Sequence, residues 1–381
     1  MGYQRILLNA ARHSYINTPV SIPWESDAVS LKDLKTGKLV PTQVVPTDRE
    51  ARSGGPDGRL HWIVDELPKG GNKEYRTSNI EHSTSNVELA ESGNRVDFHI
   101  GGELFASYHF GGEYARPFLY PIIGPGGKGV TRGYPMEKVP GETTDHVHHR
   151  SVWTAHGDVN GVDNWSEEQG HGRTIHLAFT EKVSGPVFAK MSESNEWVDK
   201  DGNKVLDETR TITVYNLPET GCLIDMSILF RADKDVKFGD TKEGGIISVR
   251  VATSMDGDKG GLITNSFGGV TEAETWGKQA QWCDYSGPVN GRTVGITVFD
   301  NPNNFRHPTY WHVRDYGLMT ANPFALSSYE NDTSVDGSHI MKACQPFLFN
   351  YRLFVHDGDA GSAKVAEQYH GYVNPPTAKP G

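Results

Sequence analysis

The chain has 381 residues, enough for one large β domain or two smaller ones, and carries a net charge of −11. That acidity argues against nucleic acid or an anionic membrane as partner, since both attract basic surfaces. Only 36% of the residues are hydrophobic while 43 are glycine, which favours a turn-rich all-β chain over a helical bundle.

Three distant cysteines, Cys222, Cys283 and Cys344, suggest neither a disulfide framework nor a CxxC metal site. No run of eighteen apolar residues exists to span a membrane. The start, Met1-Gly2-Tyr3-Gln4-Arg5, leads into Ile6-Leu7-Leu8 without the apolar core of a signal peptide. The expected location is cytoplasmic, or exported if a signal has been removed from a mature form.

In chain order, residues 1–100 read as short strands. Thr18–Pro23 is a strand with prolines at an edge, Leu34–Val40 a hairpin around Thr36-Gly37, and 48–59 a glycine-rich loop. Residues 86–110 form a meander with turns at Ser92-Gly93-Asn94 and Gly101-Gly102. Residues 111–140 hold Arg116-Pro117-Phe118-Leu119-Tyr120-Pro121 and a Gly/Pro run, and read as a long structured loop beside a site. Strands resume at 175–183, 187–198, 208–215, 223–230, 245–252, 293–299 and 347–354, with a turn at Asp201-Gly202 and one helix at 360–369. The expected fold is a large antiparallel β-sandwich with long loops and a short C-terminal helix. Residues 1–85 form an N-terminal β segment packed on a main catalytic domain, 86–381.

The densest chemistry lies at Asp145-His146-Val147-His148-His149-Arg150-Ser151-Val152-Trp153, with His156 close behind. Imidazole titrates near neutrality and ligates metals. As a strand, this stretch would place His146, His148 and Arg150 on one face, to chelate a divalent metal or to present two titrating groups. No metal is required, and no second fixed ligand pair is visible. A second charged segment, Asp240-Thr241-Lys242-Glu243-Gly244-Gly245, precedes a strand carrying Arg250, and its glycines would allow close approach to a ligand. Glu243 is the carboxylate expected to act as acid or base. A third patch, with Trp276, His307, Trp311, His312 and Asn322, gives the flat faces and hydrogen-bonding neighbours that suit sugar rings. Gly-x-Ser-x-Gly, HExxH and Rossmann signatures are absent.

Asn17-Thr18-Pro19-Val20, Arg116–Pro121, Asp145–Trp153, Gly239–Gly244 and Tyr316-Gly317-Leu318 to Asn322-Pro323-Phe324 occur in that order. The series resembles the bacterial family labelled methane oxygenase PmoA, along nearly the whole chain. The label's chemistry belongs to an integral membrane subunit, which this chain cannot be for want of a spanning helix. The family is itself similar to galactose-mutarotase-like proteins. That implies a β-supersandwich, chemistry on glycosides or oxidised sugars, and a histidine acid opposed to a glutamate base.

The expected function is therefore a carbohydrate-active enzyme that cleaves a glycosidic bond, by hydrolysis or by elimination from a keto sugar. The catalytic candidates are His146, His148, His156 and Glu243. The substrate-binding candidates are Arg116, Tyr120, His149, Arg150, Trp153, Trp165, Arg250, Trp276, His307, Trp311, His312 and Asn322. His146 and His148 would hold any metal. The partner is a small-molecule or oligosaccharide substrate. A sugar mutarotase or epimerase and a non-catalytic carbohydrate-binding protein are the alternatives.

Overall fold

A computed structural model describes residues 4–10, 12–25, 30–46, 58–78, 86–217 and 221–381. The loop expected at 48–59 lies almost wholly outside the described residues, and the boundary expected at 85/86 closes the undescribed stretch 79–85.

The chain is all-β, and among the described residues every strand pairing is antiparallel. Two large sheets form the main body. A nine-stranded sheet runs, edge to edge, Trp311–Arg314, Leu318–Ala321, Gly244–Arg250, Val152–His156, Phe118–Gly124, Glu103–His109, Arg95–Ile100 and Val87–Ser92, with Lys128–Gly129 beside Phe118–Gly124. An eight-stranded sheet runs Arg173–Val183, Phe188–Val198, Lys204–Tyr215, Gly221–Arg231, Phe347–Asp357, Arg292–Asp300, Trp282–Val289 and Leu262–Asn265. One continuous core lies between them: Phe98, Leu119, Val152 and Val249 come from one sheet, Ile212, Ile228, Leu353 and Ile296 from the other. Alternation produces this directly. In Gly221–Arg231, Ile224, Met226, Ile228 and Phe230 are buried while Asp225, Ser227 and Leu229 are less so.

The N-terminal residues build a smaller pair of sheets. One orders Thr377–Pro380, Arg5–Asn9, Asn72–Ser78, Ser30–Asp33 and Leu39–Val40; the other orders Tyr15–Trp24, Gly58–Leu67 and Gln43–Pro46. They enclose their own core of Ile6, Ile22, Leu31, Trp62, Val64 and Tyr75. The chain's last strand, Thr377–Pro380, pairs with Arg5–Asn9 and so returns to this layer. The helix Val365–Val373 packs between the two bodies. Val365 and Tyr369 meet Phe299 and Phe354 of the eight-stranded sheet, and Gly371 lies against Thr18, where a Cβ would come within 2.7 Å of the hydroxyl.

Two expectations need correction. The Gly/Pro-rich stretch is not all loop: Phe118–Gly124 is an inner strand of the nine-stranded sheet. Its register against Glu103–His109 slips between Ala106 and Tyr108, and Pro121, which has no N–H to offer a ladder, sits in that irregularity. The helix also begins five residues late, at Val365, after Lys364 in a left-handed conformation at φ 55°.

Candidate active site on the outer face of the nine-stranded sheet

Across five neighbouring strands the register aligns Phe118 with Trp153, Trp153 with Ser248, Ser248 with Thr320, and Thr320 with His312. Adjacent to this row, Val152, Val249, Met319 and Val313 are also in register and belong to the core. Because side chains alternate, the first row occupies the opposite, outer face. Phe118, Trp153, Ala155, Trp165 and Leu318 form a separate apolar floor there.

The histidine stretch lies over this floor as a loop, not as the expected strand. His146 has φ 42° and Ser151 φ 60°, and the strand starts only at Val152. The face-sharing expected from alternation therefore fails. A turn takes its place, closed by the His149 N–H donating to the His146 carbonyl at 3.0 Å. The turn stacks the rings: Tyr316 on His146 at 4.8 Å, His146 on His149 at 4.7 Å, and His149 on Trp153 at 5.2 Å between centroids. His148 projects edge-on from this column, 4.5 Å from His149 and 5.8 Å from both His146 and Trp165.

Buried arginines fix the loop. Arg132 donates to Asp145 and to the His146 and His149 carbonyls. Arg250 donates to Asp145 Oδ1 at 2.8 Å. Arg116 donates to the Asn164 and Trp165 carbonyls and pairs with Glu167 at 3.2 Å, and Arg150 grips Glu167 at 2.8 and 2.6 Å. Two carboxylates thus meet four guanidiniums. Burial alone would raise the Asp145 carboxyl, but Arg250 and Arg132 outweigh it and hold it below its usual range. Arg150 and Arg116 do the same for Glu167. Both stay ionised and engaged.

The histidines separate by what their nitrogens do. Arg250 can only donate, so the His149 Nδ1 at 3.1 Å accepts, and the proton sits on Nε2. Burial, then His148 and Arg250, push His149 well below its ordinary value. His146 Nδ1 faces Asp145 Oδ2 at 3.2 Å. His312 donates from Nδ1 to the Lys242 carbonyl at 2.8 Å, and His156 from Nε2 to the Gly239 carbonyl at 2.9 Å. Of these five site histidines, only His148 has neither ring nitrogen hydrogen-bonded to any described residue. Burial, then Arg116 and His146, lower it to about 4, while Glu167 and Glu243 act to raise it.

The segment 239–244 forms the neighbouring wall. Lys242 receives His312 and Asn322 at its carbonyl, and the Glu243 carbonyl accepts the Gly157 N–H at 2.7 Å. This pins the backbone and leaves the Glu243 side chain half exposed, beside Lys242 Nζ at 3.2 Å. Its charge is felt at His148, His312 and Tyr316. The glycines expected to admit a ligand are filled by the protein's own groups. A Cβ on Gly239 would strike Asp158, one on Gly244 would lie 2.4 Å from His156 Nδ1, and one on Gly245 would strike Thr320.

The structure thus brings together His146, His148, His149, Arg116, Arg150, Arg250, Trp153 and Trp165, with Glu243, His312 and Asn322 alongside and Trp276 6.4 Å from His312. Other candidates go elsewhere. His156 is fully buried behind Gly244, against Phe324. Trp311 is core and donates to the Ala280 carbonyl. His307 pairs with Asp300 at 2.7 Å. Tyr120 turns its hydroxyl to Glu137 and lines a separate cavity of about 640 Å³. Arg116 holds loop carbonyls and is 2% exposed, so it is a fastener and not a ligand contact. Sequence reading missed Arg132, Glu167 and Tyr316 as site residues. Tyr316 lay in a quoted motif; Arg132, hidden in the Gly/Pro stretch, gave no signal. Among the described residues, no three His, Cys, Asp or Glu side chains are grouped to hold a metal. No third such side chain joins His146 and His148 among those residues.

One consequence is for stability. Burial lowers His156 and His312 each to about 4. The unfolded chain, with histidines near 6.5, binds protons that the folded chain refuses between those values, so stability falls as pH drops through that window. Each contributes a loss on the order of 3 kcal/mol by pH 4. Urea melts at pH 7, 5.5 and 4.5 check this; equal stabilities would contradict it.

The fold and the site define an all-β sandwich protein with a histidine–arginine cluster seated on one sheet face. The chain belongs to the family described as "Family of unknown function (DUF6807)", whose model matches residues 95–370. Among solved structures, the chain is similar to a galactose 1-epimerase from Lactobacillus acidophilus NCFM, at 7% identity and a TM-score of 0.32, over 72% of this chain and 100% of that one. That likeness assigns no residue here a role. A search of curated proteins finds no match. Nothing in these comparisons carries the methane oxygenase PmoA label suggested by the resemblance. No helix among the described residues is long and apolar enough to cross a membrane.

Proposed function

We propose that the chain is a carbohydrate-active enzyme that cleaves a glycosidic bond by elimination from an oxidised, keto sugar. One observation carries the reading: the His148 ring has neither nitrogen hydrogen-bonded to a described residue and is set beside an aromatic floor, where burial lowers it to about 4. It takes the proton from the carbon next to the sugar's carbonyl. Glu243 stabilises the imidazolium that forms, since its charge favours the protonated ring. His146, held at Nδ1 by Asp145, relays a proton through Nε2 to the departing oxygen. In balance, the carbon next to the carbonyl loses a proton and the leaving oxygen gains one by way of the histidines, while the bond from the neighbouring anomeric carbon to that oxygen breaks and a double bond forms between the two carbons. The surplus guanidinium charge behind the loop favours the enolate that develops.

Hydrolysis by two carboxylates is the weaker reading. Two such groups must flank the bond, one of them as a protonated acid. Asp145 and Glu167 are each tied to two arginines and held ionised, which leaves Glu243 alone.

The pH profile of kcat/KM follows from this assignment. The base works unprotonated, and burial puts His148 at about 4, so the acid limb falls near pH 4 and not near 6.5. Glu243→Gln removes a charge that raises His148, so the limb moves to lower pH and the rate drops. A limb unmoved by this substitution would detach Glu243 from His148.

A further inference from the structure

On the outer face of the eight-stranded sheet lies a second polar cluster that the acid–base reading does not use. In Phe347–Asp357, Tyr351, Leu353 and Val355 enter the core, so Phe354 and His356 face outward. His356 pairs with a glycine on each neighbouring strand, Gly221 and Gly295. The gap is required: a Cβ on Gly295 would sit 2.3 Å from the ring's Cε1. Asp284 Oδ1 accepts from His356 Nε2 at 2.8 Å and from the Thr297 hydroxyl at 2.6 Å. All three residues are 0% exposed. A carboxylate can only accept, so the ring proton is on Nε2. Nδ1 is left buried with no partner.

An orphaned buried nitrogen is unfavourable unless something satisfies it. Here it belongs to a ring that lines a cavity of about 340 Å³, bounded also by Phe354, Ser362, Lys364 and Gln368. The volume is at the small end for small-molecule sites. The cavity lies between the sheet, the start of the helix Val365–Val373, and Ile16 and Asn17 of the N-terminal body. Two of its lining residues, Asn17 and Lys364, hold left-handed backbones at φ 46° and 55°.

We propose that this cavity is a second small-molecule site, for a polyhydroxylated ligand the size of one monosaccharide ring, with His356 Nδ1 as the buried acceptor. Hydroxyls both donate and accept, so they satisfy an imidazole nitrogen and the Gln368 amide in either orientation. An anionic ligand would find Asp357 in the lining against a single cation, Lys364, and Arg292 already pairs with Asp357 at 2.5 Å. An apolar ligand would leave Nδ1 orphaned. The site is independent of the His148 chemistry.

The test is a titration of the full chain with myo-inositol and, separately, D-glucose, followed by the His356 imidazole nitrogen signals in NMR. A saturable shift at His356 is expected. Gln368→Leu should weaken it by about tenfold, the worth of one good hydrogen bond, with unchanged Tm. Because Gln368 is buried, the exposed Lys364→Ala variant gives a second reading and should weaken binding too. His356 signals that move with neither ligand, or the same affinity in both variants, would overturn the proposal.

Discussion

His148→Asn lowers turnover by about 10²–10⁴-fold, the usual worth of a general base, and leaves Tm within experimental error. The fold should tolerate the change because His148 anchors nothing with its ring. Its backbone carbonyl receives Arg116, and asparagine keeps that carbonyl. The neighbouring histidines differ in this respect. His149 holds Arg250, and His312 holds the Lys242 carbonyl, so their removal mixes a loss of rate with a loss of structure. Turnover and thermal melting measured on one preparation separate the two. Near-normal turnover in His148→Asn would move the base elsewhere, with Glu243 the next candidate.

Glu208→Ala destabilises the protein by about 3–5 kcal/mol, the cost of stripping one partner from a buried ion pair. Glu208 and Arg210 are each 1% exposed. Glu208 accepts Arg210 Nε and Trp197 Nε1, both at 2.6 Å. Arg210 reaches the Tyr108 hydroxyl at 2.9 Å, and Tyr108 meets the fully buried Glu193, which also binds His176 at 2.6 Å. This network crosses the sandwich, since Tyr108 belongs to one sheet and Arg210 to the other. Arg210 also approaches the Pro117 carbonyl at 3.4 Å, next to the residue that fastens the histidine loop. Glu208→Gln keeps a hydrogen-bond acceptor but not the charge, so it should lose less. A loss below about 1 kcal/mol in Glu208→Ala would mean that Tyr108 and Glu193 suffice to hold the guanidinium.

Much of the fold was legible because alternation and turn residues are local signals. The strands between 173 and 231, the meander 87–109 and the Asp201-Gly202 turn follow from period-two burial and from glycine at positive φ. Phe118–Gly124 was missed because glycine and proline around it imitate a loop; its pairing with Val152–His156 is a long-range fact. The small N-terminal sheets were only partly visible, since closing them needs the final strand at Thr377–Pro380.

The site was legible by composition and not by geometry. The density of histidine at 146–149 located it. Reading it as a strand gave the wrong sharing of faces, because a residue at φ 42° cannot be foreseen from alternation. The aromatic patch divided on burial: Trp276 stays half-buried near the site, while Trp311 fills the core. Arg132 shows the limit most plainly. Its role comes from three acceptors that lie 13 to 17 positions away in sequence and converge only in the folded loop.

The most direct measurement is mass spectrometry of products from a panel of glycosides and 3-keto-glycosides, with and without chelator. Elimination from a keto sugar predicts an unsaturated product and a released aglycone from 3-keto-glycosides, unaffected by chelator and lost in His148→Asn. Turnover of unoxidised glycosides, a hydrated sugar product, interconversion of free sugars without cleavage, or binding with no product would each contradict it.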